Sequence, residues 1–376
     1  MAKITGFLKK NAMPVIAVIA ALLSFLITPP SRELFASVDI KTIATLFMLL
    51  SVLDGFKSEN LFLPLIRLAG RIKTTAGVMF FLVFSVFFSS MFVTNDVSLI
   101  IFVPLTIILF RAGGREELII PTAVLENIAA VRGSLLTPFG SPQNLFLFSE
   151  SGLPTGKFML MMLPLWVASA VLLSIFILFI CRKNLKERIP LENSGSGSFA
   201  PERRVKRIVY IVLFAVVIAS VVTRTSYWPY VTAFVALMLL IFDRKVFGRV
   251  DYALLLTFLC FFVFSAAVAA NPRVSEFLHS SVEGREYIWS ILLSQVISNV
   301  PASIVLWPFT SNLKALIYGL DSAGLVTVIG SLASVINMRI YTGEYPGKGL
   351  EFIKRFEIIS LVFFAIIFFP QMLLCR

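Results

Sequence analysis

Histidine, cysteine and charge are all scarce in this chain. Of its 376 residues one is histidine, His279, and three are cysteine, Cys181, Cys260 and Cys375. A single histidine excludes a histidine-clustered metal centre. The cysteines have neither metal-ligand spacing nor a paired framework, so they read as apolar fillers. Charged residues make up 14% of the chain and hydrophobic residues 58%. That balance excludes a soluble domain of this size and implies a polytopic membrane protein. No Gly-x-x-x-x-Gly-Lys-Ser/Thr loop occurs, so ATP does not drive this chain directly. His-Glu-x-x-His is absent too, and the run Gly195-Ser196-Gly197-Ser198 falls in a polar linker. An intramembrane enzyme therefore lacks its catalytic set. The expectation is a chain that is not an enzyme and has no cofactor and no resident metal.

Phenylalanine is abundant, with 37 residues, and the formal net charge is +12. The basic residues sit in short loops between apolar runs, which points to topology and not to nucleic acid. Lys3, Lys9 and Lys10 precede the apolar run from Met13 to Thr28. Pro29-Pro30 follows in place of a cleavage site, so the run reads as a retained first helix. Further spanning runs are expected at about 40–54, 158–180, 208–223, 229–242, 252–270 and 355–374. Residues 57–73 mix Leu61, Leu63, Leu65 and Leu68 with Arg67, Arg71 and Lys73, the pattern of a helix lying on the membrane surface. Residues 273–286 read as a mixed loop. Trp166, Trp228, Trp289 and Trp307 read mostly as interfacial anchors.

Two stretches echo each other. Thr94-Asn95-Asp96 lies inside the apolar run 76–110, and Ser298-Asn299-Val300 lies inside 287–312. In both, a hydroxyl residue precedes Asn, a Ser stands five positions before that Asn (Ser90, Ser294), and a Pro stands nine positions after it (Pro104, Pro308). Two more apolar runs, 117–150 and 315–341, are interrupted by polar and helix-breaking residues. Asp39 and Asp251 each open an apolar helix with a Thr six residues on, Thr45 and Thr257. A polar knot in apolar sequence is costly unless it lines a site, and its repetition points to a duplicated transporter.

The expected fold is an all-α polytopic membrane protein of two inverted repeats, each with a re-entrant helical hairpin and a broken transmembrane helix, about nine full spans plus two hairpins. Residues 1–181 form the first repeat (hairpin 76–110, broken helix 117–150). Residues 182–207 form a cytoplasmic linker. Residues 208–376 form the second repeat (hairpin 287–312, broken helix 315–341). With the N-terminus in the cytoplasm, roughly three Lys/Arg fall inside for each one outside. Pro301 is expected to enforce a turn just after the second tip. A hairpin tip at membrane depth is tolerable only against protein or a water-filled cavity. Freed carbonyls at a broken helix suit a small cation, and half-helix N-termini suit an anion.

The four segments Thr94-Asn95-Asp96-Val97, Thr137-Pro138-Phe139-Gly140-Ser141-Pro142-Gln143-Asn144-Leu145, Ser298-Asn299-Val300-Pro301 and Gly330-Ser331-Leu332-Ala333-Ser334 resemble the ion transporter superfamily. That group includes arsenite-efflux permeases, NhaD-type sodium/proton antiporters, citrate–metal symporters and divalent-anion/sodium symporters. The chain looks most like its citrate-transporter-like, arsenite-permease-like bacterial inner-membrane members. By that resemblance, Asn95 and Asn299, with Thr94 and Ser298, take the substrate-contacting tip positions. Pro142, Asn144, Ser334 and Arg132 complete the expected substrate set. Asp96, Thr137, Gly140, Ser141, Gly330, Ser331 and Glu126 are the expected coupling-ion positions. The divalent-anion symporters have Ser-Asn-Thr at both tips. Here Asp96 and Val300 replace the Thr, and a carboxylate at a tip suits a cation or proton site.

Arg132, five residues before the first break, aligns opposite Ser322 and beside Asp321. It is expected either to pair with Asp321 or to hold the substrate anion. Glu126 is a candidate proton carrier, and Asp54 reads as structural. The functional expectation is a secondary transporter in a bacterial inner membrane, moving a small anion or an oxyacid such as arsenite with Na+ or H+, by elevator-like movement. A cation/proton antiporter and a channel are the competing readings. The lipid bilayer, a small-molecule anion and a second copy of the chain in a homodimer are the expected partners; nucleic acid is not.

Overall fold

A computed structural model describes residues 12–36, 38–59, 61, 72, 74–182, 204–223 and 226–375. Most of the expected surface helix 57–73 and most of the linker 182–207 lie outside them. Among the described residues the regular structure is helical throughout. Six helices are long and apolar enough to cross a membrane. They are α4 (Thr75–Val93), α5 (Asn95–Ala112), α8 (Thr155–Ile180), α9 (Arg204–Val222), α11 (Tyr252–Ala270) and α17 (Gly349–Leu374). The protein is a multi-pass membrane protein. Large apolar side chains such as Leu160, Phe179, Ile211, Ile241 and Phe369 stand exposed on its outer helices, as a lipid-facing surface requires.

The other helices are α1 (Ala12–Ser24), α2 (Arg32–Ala36), α3 (Ile40–Ser58), α6 (Ile119–Ser134), α7 (Pro142–Ser151), α10 (Trp228–Asp243), α12 (Pro272–Val282), α13 (Glu286–Ile297), α14 (Asn299–Leu306), α15 (Leu313–Ala323) and α16 (Leu332–Glu344). The run 76–110 becomes α4 and α5, and 287–312 becomes α13 and α14. The run 117–150 becomes α6 and α7, and 315–341 becomes α15 and α16.

One expectation fails at residues 273–286. Pro272–Val282 is a helix, not a loop. Asn271 accepts from the Val274 N–H at 3.2 Å as its N-cap, and Pro272 fills the first helical position, where its missing N–H costs nothing. A second expectation fails at Pro301. It makes no turn, because it is the third residue of α14, where a helical N–H has no intrahelical acceptor.

Contacts between helix ends fall into two groups. In one, Arg249 meets Asp54 at 2.5 Å, Arg207 donates to the Glu59 carbonyl, Arg111 meets Glu344 at 3.3 Å, and the Tyr345 hydroxyl meets Glu116 at 3.1 Å. In the other, Thr28 donates to the Ala267 carbonyl, Asn271 to that of Ile27, Thr155 to that of Val222, Asn312 to that of Cys375, and Trp307 to the Glu150 carboxylate. The first group gathers the ends of α3, α5, α10 and α16, and the second those of α1, α7, α11 and α17. The base of the α4–α5 hairpin thus meets the far end of α16, and the base of the α13–α14 hairpin meets the far end of α7.

Asp39 and Asp251 share one local structure. Each caps its helix by accepting an N–H three residues on, Thr42 and Leu254, both at 3.0 Å. Thr45 and Thr257 each return a hydroxyl hydrogen to the carbonyl four residues back.

Candidate functional site

Among the described residues, two that are not glycine have positive φ. They are Thr94 (φ 70°, ψ 157°) and Ser298 (φ 69°, ψ 159°). They stand in the two echoed motifs and share one conformation. For a residue with a Cβ this costs about 1–3 kcal/mol, and glycine would relieve it. Both positions carry a hydroxyl instead, directly before an Asn.

At Thr94 the chain reverses. Ser89 and Ser98 would lie about 13 Å apart along a straight helix, yet their hydroxyls meet at 2.9 Å. Both tips are inside protein: Asn95 is 4% exposed and Asn299 is 1% exposed. The arms differ in length. At 1.5 Å per residue α4 and α5 reach about 28 and 27 Å, whereas α13 and α14 reach about 18 and 12 Å. The Asn95 side-chain oxygen accepts from the Asp96 N–H at 3.0 Å, and Asn299 donates to the Leu320 carbonyl at 3.4 Å. The Ser298 hydroxyl and one oxygen of the half-buried Asp96 have no hydrogen-bond partner.

Each hairpin packs against the broken helix of its own half, and the matching side chains recur at the contact. Thr137, in the first break, donates its hydroxyl to the Met91 carbonyl. Thr327, in the second, donates to the Gln295 side chain at 2.7 Å. A methyl placed on Gly140 would collide with the Ser134 carbonyl, and one on Gly330 with the Ala323 carbonyl. The chain therefore folds tightly back over the end of each first half-helix. Asn144 donates to the Ser134 and Leu135 carbonyls at 3.2 and 3.4 Å, and Ser334 to the Gly324 carbonyl at 3.2 Å. Ser141 caps α7 through the Asn144 N–H, with Pro142 first in the helix. Ser331 holds the matching position before α16 without a side-chain cap.

The two breaks meet. Arg132, fully buried, pairs with Asp321 and donates to the Ser322 hydroxyl at 3.1 Å. Ser322 and the Tyr287 hydroxyl both donate to the Gln371 side-chain oxygen, at 2.6 and 2.8 Å. The pair expected from aligning the breaks is therefore present, within a network that also ties in α13 and α17.

A second buried polar layer lies within α6. Glu126 is fully buried and accepts from the Thr106 hydroxyl of α5 at 2.6 Å. Asn127 donates to Ser334 at 3.0 Å, and Asn337 donates to the Ala123 carbonyl at 2.6 Å. Neither Thr106 nor the two Asn residues stands in a motif that repeats between the halves. Their signal in the sequence was a hydroxyl or amide inside an apolar helix, which is by itself more often a helix–helix contact.

A cavity of about 480 Å³ lies between α2, α7, α11 and α14, with Asp39, Glu150, Ser265 and Trp307 in its lining. It does not include the tips. Asp54 makes the ion pair with Arg249, a structural contact. Trp166 packs against Phe87 with the rings tilted by 39° and their centroids 4.9 Å apart, and is a packing residue. Trp289 and Trp307 donate to the Ser281 carbonyl and to Glu150.

The chain is similar in sequence to known membrane transporters. Residues 6–333 match the Citrate transporter family, CitMHS. Uncharacterized transporter MJ0456 of Methanocaldococcus jannaschii is 31% identical over 317 residues, 83% of this chain and 84% of that protein. Inner membrane protein YbiR of Escherichia coli K12 is 32% identical over 325 residues, 85% of this chain and 84% of that protein.

Proposed function

The chain belongs to the Citrate transporter family of membrane transporters, and from that premise we propose that it is a secondary carrier of a small anion or oxyacid. The substrate is carboxylate-like, citrate-like or arsenite-like, and Na+ or H+ is the coupling ion. The reading rests above all on the matched backbone of Thr94 and Ser298. Two strained, hydroxyl-bearing tips, each opposed by a broken helix, are the parts of a site between duplicated halves.

The contacts between helix ends support inversion of the repeats 1–181 and 208–376 about this centre, with 182–207 as the linker. The charge bias supports a cytoplasmic N-terminus and an inner-membrane location. The substrate is held by Thr94, Asn95, Ser298 and Asn299 with Pro142, Asn144 and Ser334. The N-termini of α7 and α16, at the breaks, add positive potential toward an anion. The coupling ion uses Asp96, Thr137, Gly140, Ser141, Gly330, Ser331 and Glu126. The hairpins and broken helices move as one body against the other helices, in a homodimer.

Arg132 is engaged by Asp321, which favours a structural role for it over substrate contact. The unpartnered Asp96 oxygen favours cation/proton antiport as the second reading.

Solid-supported-membrane currents of proteoliposomes distinguish the two. A panel of dicarboxylates, citrate, arsenite and sulfate is applied under Na+ or H+ gradients. An anion-dependent current that disappears in Asn95→Ala and Asn299→Ala is the expected result. Sodium-driven proton movement with no added anion favours the antiporter, and the absence of both currents removes the proposal.

A further inference from the structure

A buried carboxylate is costly unless its charge is balanced and its oxygens are satisfied. Glu126 is fully buried, and among the described residues it has no ion-pair partner. The nearest cation along its helix, Arg132, is taken by Asp321. Thr106 supplies one hydrogen bond to Oε1; Oε2 has none.

Two more buried oxygens nearby share that condition, the side-chain oxygens of Asn127 and Asn337. Their orientation is set by chemistry. The Asn337 NH2 must face the Ala123 carbonyl, which only accepts. The Asn127 NH2 must face the Ser334 hydroxyl, whose hydrogen is committed to the Gly324 carbonyl. Both amide oxygens are therefore held with no donor.

The three groups share one seam. Ala123, Glu126 and Asn127 stand three and four residues apart, on one face of α6. Asn337 touches Ala123 at one end of that stretch, and Ser334, a turn back on α16, touches Asn127 at the other. Thr106 approaches from α5, which packs against both helices. The stretch of α6 from Ala123 to Asn127, which carries or meets all three residues, is about one helical turn, roughly 6 Å, long.

From this arrangement we infer that Glu126, Asn127, Asn337 and Thr106 form a binding site for Na+. One added proton on Glu126 would satisfy its own oxygen and at most one of the two amide oxygens, leaving the other without a donor. A monovalent cation neutralises the carboxylate and accepts all three, with the Thr106 hydroxyl oxygen as a fourth ligand. The site is separate from the hairpin tips. It reaches the second break through the Asn127–Ser334 hydrogen bond, so filling it stiffens the support of that break. As the coupling-ion site it rests on the transporter reading; as a Na+ site it does not.

The test is Na+ binding to the full-length protein in detergent, with no anion substrate. Thermal unfolding is followed while NaCl replaces choline chloride at constant ionic strength. A saturable rise in Tm with Na+ that K+ does not reproduce is expected. Glu126→Gln, which keeps the shape and the Thr106 contact, should abolish it. Glu283→Gln, at an exposed carboxylate, should leave it in place. Thr106→Val, the variant to use if Glu126→Gln fails to fold, should raise the half-saturating Na+ about tenfold.

Equal responses to Na+, K+ and choline overturn the inference. So does a Na+ response that survives Glu126→Gln, one that vanishes in Glu283→Gln, or an unchanged half-saturation in Thr106→Val. Na+ binding without anion transport keeps this inference and removes the proposed function. Anion transport without a Na+ response does the reverse.

Discussion

Arg132 and Asp321 form an ion pair across 189 residues of sequence, and each stands in the last turn of the half-helix that leads into a break. Two helix C-termini, with their partial negative charge, thus converge in the protein interior. One guanidinium answers both ends and the carboxylate. Removing one partner strands a buried charge, so Arg132→Met or Asp321→Leu alone should cost about 3–5 kcal/mol. The Arg132→Met/Asp321→Leu double variant should recover most of that in thermal unfolding. Reversing both charges should likewise restore transport lost in either single reversal. A double variant as unstable as the singles excludes a simple pair.

Thr94 and Ser298 hold a backbone conformation that glycine adopts freely. Thr94→Gly and Ser298→Gly should raise stability by about 1 kcal/mol each through relief of strain. Transport should fall in both, because the tip hydroxyl is lost. Unfolding and transport assays on the same preparations check the opposite signs. A stability loss in either variant means the angle is not a source of strain.

Gly133 and Gly319 are the close-approach points between each broken helix and its hairpin. A methyl at Gly133 would strike the Phe87 carbonyl and Ser90, and one at Gly319 the Tyr287 carbonyl and Ser290. Backbone cannot yield as a side-chain tip can, so Gly133→Ala and Gly319→Ala should each cost about 1–3 kcal/mol. Thermal unfolding measures this. Gly156→Ala, with open space around its Cβ position, is the control and should show no such loss.

Glu286 closes the base of the second hairpin. Its Oε1 accepts from the Ser311 N–H at 3.2 Å, the Ser311 hydroxyl at 2.9 Å and the Asn312 N–H at 3.2 Å. Hydrogen bonds to a charged group contribute about 1.5–3 kcal/mol each at most. Glu286→Ala should therefore free the 307–312 segment. Hydrogen exchange should rise there and at α14 with little change at the first hairpin. Uniform exchange in the variant would show that the base is held by other contacts.

Much of the geometry of the tips and breaks was legible in the sequence. The Asn95 and Asn299 knots marked the tips, Gly140 and Gly330 marked the breaks, and aligning the breaks put Arg132 beside Asp321. Repetition made these visible, because two copies of a costly feature are informative where one is not. Thr106, Asn127 and Asn337 were not legible as a group. They come from three helices and do not repeat between the halves, so nothing in the chain brings them together. The helix at Pro272–Val282 was missed for a local reason: Asn271-Pro272 is a helix-start signal in a segment read as a loop because it is polar.

Composition and patterning alone determined that this is a helical membrane protein carrying two echoed polar motifs. Apolar runs in lipid must satisfy their backbone internally, and that requirement acts on the sequence directly. Tertiary structure alone decided which polar atoms remain unsatisfied. Hydrogen-bond saturation depends on what packs against a residue, and the same glutamate is ordinary against water and in need of a cation when sealed between three helices.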